Sequence, residues 1–311
     1  MNLSQWVQRF HCICFAIAAV FSMSACHEQE SGVEMSPANH AMIVDSIVTL
    51  DSMAMAFKHT DSARSCNYAT RAVTLAEKTG TTEYLISALN IQGLVFSVNH
   101  HDAAQAIFSH ALRLTDSTSF KRERSSIFYN MAKMYLDAND YKTSIVLLDS
   151  SIQTGIRHHQ PKAVCVSLIA LANVYHISDE PSMAKMVYDS AWRIASKYHL
   201  SRETGIALGN LSLYCKNRQE SERMAKDAIR LMEQEKGAEE EIANCLLNLG
   251  LVQSNPDSAI KYYTAAISLA QKCRINKATM AAYNNMAYAY LEKHDVEMAR
   301  SCIADNAIPL A

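Results

Sequence analysis

Apolar residues along this chain recur at spacings of three and four, interrupted by short polar turns. Leu168, Leu171, Ala172 and Tyr175 fall on one helical face by this rule. After the turn at "SDEP" the period resumes with Ala184, Tyr188 and Ala191, which predicts a second helix. Its contact positions run small, large, small. Each buried methylene contributes about 0.8 kcal/mol, so burial alone favours larger side chains than alanine. Small residues at fixed places instead predict two antiparallel helix backbones in close approach.

The triplet recurs. It reads Ser65, Ala69, Ala72, then Ala104, Phe108, Ala111, then Ser144, Leu148, Ser151. Beyond Ala191 it returns as Ser221, Ala225, Ala228 and as Ala259, Tyr263, Ala266, and a last version starts at Ala299 and Ile303 and reaches Asn306. Third members at 72, 111, 151, 191, 228, 266 and 306 give a step of 37 to 40 residues. The preceding helices repeat too: "NMAKMY" from Asn130, "NLSLYC" from Asn210, "NLGLVQ" from Asn248 and "NMAYAY" from Asn285 align without gaps. "NIQGLVF" from Asn90 joins them, and the helix around Ala170 has alanine in place of the asparagine. A fixed period of this length predicts a helical repeat array.

These residues resemble the tetratricopeptide repeat motif. Leu168, Leu171, Ala172, Tyr175, Ala184, Tyr188 and Ala191 fill its seven signature places, and Phe128, Met131, Ala132, Tyr135, Ser144, Leu148 and Ser151 fill them with mild substitutions. Tyr283, Met286, Ala287, Tyr290, Ala299 and Ile303 fill six. The resemblance implies an all-α, right-handed α-solenoid of about seven helix-turn-helix repeats. Two departures stand out. The step exceeds the family's usual period of about 34 residues, and the turns before Ser221 and Asp257 are about three residues short.

The same resemblance implies a binding surface. First helices line the concave side of such arrays, and in some members asparagines there hold the backbone of an extended peptide. Asn90, Asn130, Asn210, Asn248 and Asn285 form a ladder of this kind, with Tyr129, Lys133, Asn173, His176, Asn284 and Tyr288 beside it. Mid-helix asparagine is disfavoured by propensity, and its amide offers donor and acceptor together. Two uses fit: gripping a partner's backbone, or locking adjacent repeats. The set lacks the lysine and arginine cluster that clamps a carboxylate terminus, which points to a neutral or extended segment as ligand.

A different kind of sequence precedes the array. Arg9, an apolar run from Phe10 to Val20 and "FSMSAC" make residues 1–25 a signal peptide. "MSAC" resembles the bacterial lipobox, which makes Cys26 the lipidation site; an ordinary secretory peptide is the alternative. The core is short of the roughly 20 residues of a spanning helix. Residues 26–37 read as a polar tether and 38–311 as the array. By resemblance to bacterial lipoproteins, His27 after the cysteine favours the outer over the inner membrane.

Composition narrows the function. Without Arg9 the chain keeps 28 of its 29 basic residues against 31 acidic ones, interspersed and without the basic stripe of a nucleic-acid binder. "KRER" from Lys121 reads as a helix start, and "EQEKGAEEE" from Glu233 as an exposed turn. Paired carboxylates fall only in charged, exposed stretches. Six cysteines follow Cys26, without a CxxC, and read mostly as buried thiols, with Cys245–Cys273 and Cys273–Cys302 as the open pairings. His100–His101 and His158–His159 read as turn residues, and neither metal-ligand nor cofactor motifs nor a nucleophile elbow occurs. The expectation is a non-enzymatic, membrane-tethered scaffold for a peptide or protein partner, without cofactor. The alternative is the sensory part of a shortened membrane-bound signalling or transcription-regulator protein.

Overall fold

The computed structural model describes residues 37–116, 120–273 and 275–310, so Cys26 and the signal-peptide segment lie outside the described residues. Contacts divide the chain after Met42, and the unit Ile43–Ala311 holds the repeats. Helices come in consecutive pairs: α1 (Pro37–Phe57) with α2 (Ser62–Lys78), α3 (Thr82–Phe96) with α4 (His101–Asp116), and α5 (Arg124–Asp137) with α6 (Tyr141–Arg157). The series continues with α7 (Pro161–Ile177) and α8 (Pro181–Lys197), then α9 (Ser201–Leu211) and α10 (Arg218–Met232). It ends with α11 (Glu239–Leu251) and α12 (Pro256–Lys272), then α13 (Asn276–Glu292) and α14 (Val296–Ser301). No strand occurs among the described residues. The unit is an all-α solenoid of seven helix pairs.

Helix ends follow local chemistry. Asp61, Asp140, Asn217, Asn255 and Asp295 each cap a second helix by accepting a backbone N–H in its first turn. Pro161, Pro181 and Pro256 occupy first helical positions, where their missing N–H costs nothing. Several helices stop on a left-handed residue: Gly80, Asn139, His159, Asp179, His199 and His294 all have φ between 53° and 66°. After Asn139, His159, Asp179, His199 and His294, the next N–H reaches back five residues to a carbonyl at 2.8–2.9 Å. These are Schellman stops, and histidine fills in three of them a place that glycine takes without steric cost.

The small residues do what the sequence pattern predicts. Every member of the six complete triplets is buried, as is Ala299. Where the first member is serine, its hydroxyl shows how near the backbones come: Ser65, Ser144 and Ser221 donate to the carbonyls of Ala54, Ala132 and Ser212 at 2.6–2.9 Å. Glycine marks the same contact in two repeats. A β-carbon on Gly93 would lie 2.6 Å from the Phe108 ring, and one on Gly250 would enter the Tyr263 ring. Trp192, by contrast, stands outside the contact, partly exposed on the other side of α8.

Three details amend the sequence reading. Gly93, three residues after Asn90, holds the place that Gly250 holds two residues after Asn248, so Asn90 sits one residue early in its helix. The missing turn residues before Ser221 come out of the first helix: α9 has 11 residues and passes into a 3₁₀ turn at Ser212–Tyr214. The last triplet closes on Ala307, which is buried, because Cys302–Ala307 widens into a π-helix. Its larger turn moves the inward-facing position on by one residue.

First helices pack on first helices of the next repeat, as α5 on α7, α7 on α9 and α9 on α11, while second helices are held apart. The inner side of the curve therefore belongs to α1, α3, α5, α7, α9, α11 and α13. Among the six cysteines of the described residues none is paired: Cys165, Cys245 and Cys302 are buried, Cys66 and Cys215 half-buried and Cys273 exposed.

Two stability measurements check this account. Ala184→Leu or Ala191→Leu should lower urea stability by roughly 1–3 kcal/mol through overpacking, and the exposed Lys185→Ala by less than about 0.5 kcal/mol. Equal effects would refute the close contact. At the helix stops, His199→Gly relieves a left-handed side chain and should be neutral or stabilising by up to about 1 kcal/mol. A loss of stability there would show that the histidine ring, not the backbone, sets the stop.

Candidate functional site

The inner side deepens where α5, α7, α9 and α11 meet. A cavity of about 530 Å³ opens there, lined by Tyr129 and Lys133 from α5, by Asn173 and His176 from α7, by Asn210 from α9 and by Asn248 from α11. Lateral packing of first helices brings these residues together, since successive repeats present matching positions to one surface. Ala170 also lines it. The missing asparagine of that repeat thus coincides with open space at the floor. A second cavity of about 320 Å³ adjoins, sharing Tyr129, Ala170, Asn173, Ile206 and Glu241 with the first. Lys162, Val166, Ile169, Arg202 and Glu203 complete it.

The structure thus gathers six of the eleven residues expected to bind a peptide. Asn90, Asn130, Asn284, Asn285 and Tyr288 lie outside both cavities, and Tyr288 is exposed. The ladder also makes bonds between repeats. Asn130 Nδ2 donates to Asn90 Oδ1 at 2.9 Å, and Asn90 Nδ2 to Ser126 Oγ at 3.2 Å. Asn248 Nδ2 donates to the Gly209 carbonyl at 3.1 Å and reaches Asn210 Oδ1 at 3.4 Å. One half of each amide in the second pair, Asn248 Oδ1 and Asn210 Nδ2, stays without a partner among the described residues. Of the two uses weighed from the sequence, the bonds between repeats are thus present in these side chains.

Aromatic groups shape the walls. The Tyr188 hydroxyl donates to Asn173 Oδ1, which fixes that amide against α8. His176 Nδ1 and the Tyr214 hydroxyl are 2.7 Å apart. Burial raises the Tyr129 hydroxyl above its usual pKa, and burial followed by the neighbouring Tyr214 does the same for Tyr188. Both stay protonated near neutral pH.

Charge is where the sequence reading fell short. Paired carboxylates do not lie only in exposed stretches, because Glu203 is buried and Glu241 is mostly so. "EQEKGAEEE" is a turn only in part, since its last three glutamates form the first turn of α11. There they face the positive end of the helix dipole. Glu241 Oε1 receives Arg202 Nη2 at 2.5 Å and Nε at 3.1 Å, and Arg202 Nη2 also donates to the Gly237 carbonyl at 2.9 Å. The carboxylate hydrogen bond raises the Arg202 pKa further. "KRER", as expected, ends where α5 begins. One signal was available: Arg202 and Glu241, like Lys162 and Glu203, are opposite charges about one repeat step apart.

No protein-family model matches the sequence, and comparison with curated proteins gives no match. Solved structures do match. A Rap protein complexed with Competence and Sporulation Factor is similar at a TM-score of 0.60 and 11% identity, over 88% of this chain and 76% of that one. A tetratricopeptide repeat protein from Parabacteroides merdae is similar at 0.50 and 15%, over 86% and 94%. A signal-transduction ATPase of Pyrococcus horikoshii with a tetratricopeptide repeat sensor is similar at 0.59 and 11%. This chain covers 44% of that ATPase, and 87% of this chain is matched. At these identities the likeness shows the fold, which is of the tetratricopeptide type.

The inter-repeat amides can be tested directly. Asn248→Ala removes donors to Gly209 and Asn210 and should lower urea stability by about 0.5–1.5 kcal/mol. Tyr288→Ala, on an exposed side chain, should change it by less than about 0.5 kcal/mol. Equal stability of both variants would deny the amide a structural role.

Proposed function

We propose that the protein is a non-catalytic, membrane-tethered scaffold that holds an extended segment of a peptide or protein partner along its first helices. One observation supports this most: six side chains from four first helices converge on one cavity, with Asn210 and Asn248 keeping unused hydrogen-bonding groups there. A backbone carbonyl and N–H of an extended chain complement those groups. Tyr129, Tyr188 and His176 supply the apolar and donor surface that fixes side chains beside it. A protein of the same fold occurs in complex with Competence and Sporulation Factor, which agrees with this use of the fold.

The tether rests on sequence. Cys26 in "MSAC" is the acylation site, and residues 26–37 span from the lipid to the array. Two or more acyl chains make such anchoring stable. The outer membrane is the proposed location. A second reading shares the groove: the array as a sensory part of a signalling protein, favoured by its likeness to a signal-transduction ATPase with a repeat sensor. An in-frame continuation encoding a transmembrane segment in the adjacent genomic sequence would decide for it.

Site-specific photo-crosslinking on the full chain in cells tests the groove. A photoreactive residue at Lys133 or His176 should give partner adducts, and one at Met186, exposed on α8, should give none. Adducts from Met186 alone would refute concave-face binding. In the same cells, Cys26→Ser should abolish processing or release the protein from membranes; unchanged processing and membrane association would remove the tether.

A further inference from the structure

The smaller cavity contains an electrostatic feature that the repeat fold does not require. The Glu203 side chain is only 7% exposed, yet its nearest cation, Lys162 Nζ, lies 3.6 Å away on a side chain that is 71% exposed. No hydrogen bond to its carboxylate occurs among the described residues, which is unusual for a buried charge. Across the cavity, Glu241 spends Oε1 on Arg202, whose guanidinium is further held by the Gly237 carbonyl. Its second oxygen, Oε2, is buried and has no hydrogen-bond partner. Glu203 and Glu241, from adjacent first helices, thus line one space of about 320 Å³ together with Lys162 and Arg202, and of the two carboxylates Glu203 accepts no hydrogen bond among the described residues. The negative charge is felt by the neighbouring thiols: burial first, then Glu203, pushes Cys165 up to about 12, and burial, then Glu241, does the same to Cys245.

We infer that this cavity receives an arginine side chain of the bound segment, its guanidinium pairing with the Glu203 carboxylate beside Glu241. A guanidinium suits the place better than an ammonium, because its planar fork donates to both oxygens of one carboxylate at once and sheds water more readily. Tyr129 and Asn173 line both cavities, so a chain lying in the larger one can send a single side chain into the smaller. The sequence pointed to a neutral segment because the first helices lack a lysine and arginine cluster. The buried carboxylates reverse that expectation at one position of the ligand.

This inference rests on the groove reading, and the test separates the two. A phage-displayed nonapeptide library is selected on the full chain, with Asn173→Ala/Asn210→Ala protein used to discard peptides that bind elsewhere. The expected result is a family of peptides with arginine at one fixed position. Replacing that arginine by citrulline, a neutral isostere, should weaken binding at least tenfold without touching the protein. Glu203→Gln should reproduce much of the loss, with circular dichroism and the thermal midpoint as folding controls. If that variant fails to fold, the citrulline comparison decides alone. Groove-dependent peptides without a fixed arginine, with lysine in its place, or indifferent to citrulline would overturn the guanidinium site and leave groove binding standing. Recovery of no groove-dependent peptide would overturn both.

Discussion

The close approach of two helix backbones within each pair is the contact on which the structure depends. Ser65, Ser144 and Ser221 reach first-helix carbonyls at 2.6–2.9 Å, distances open only to short side chains. Alanine performs the same service elsewhere without a polar group to satisfy. Because each pair is thin at this seam, large residues such as Phe108, Leu148, Tyr188 and Tyr263 can fill the space one turn away, where all four are buried. Stability is then a sum over pairs and their neighbours, as in other repeat arrays.

Thin pairs stack with a bias. First helices come into contact with one another from repeat to repeat and second helices do not, so the unit Ile43–Ala311 curves with the first helices inside. That bias turns equivalent positions in separate repeats into one surface. The amides of Asn210 and Asn248 meet there, and Asn173 is held in place by Tyr188 from the second helix behind it. A side chain that bonds the next repeat with one atom and lines a cavity with another ties the shape of the cavity to the stacking of repeats. Substituting it tests both, which is why stability and binding must be read on the same variants.

Charge is buried at the site, as it is at Lys58 just past α1. Most ion pairs here are exposed and within one turn of a helix, such as Arg193 with Asp189 or Arg230 with Asp227, and pairs of that kind contribute little. Glu203 and Glu241 differ, because their helices press them into the inner surface beside Arg202 and Lys162. A buried carboxylate with an unused oxygen weakens the free protein and favours a donor brought by a ligand. Where a fold tolerates that cost, recognition is a sound physical reason for it.

The repeat architecture was legible in the residues alone, since it rests on short-range periodicity. Spacings of three and four mark a helical face, a small-large-small triplet marks the seam, and the 37-to-40-residue step marks the array. Signals of that kind survive because every copy must solve the same local packing problem. Six of the candidate residues line one cavity because first helices of successive repeats present matching positions to one surface. Departures came where local geometry changes: the π turn after Ser301, the shortened α9 and the one-residue offset at Asn90. Which asparagines meet, where the surface deepens and which glutamates lose their water were decided by tertiary structure. Those outcomes depend on how four helices from separate repeats tilt against one another, and no single helix encodes that angle. Glu203 looks like any solvated first-turn glutamate until it packs against α7, beside Lys162 and Cys165.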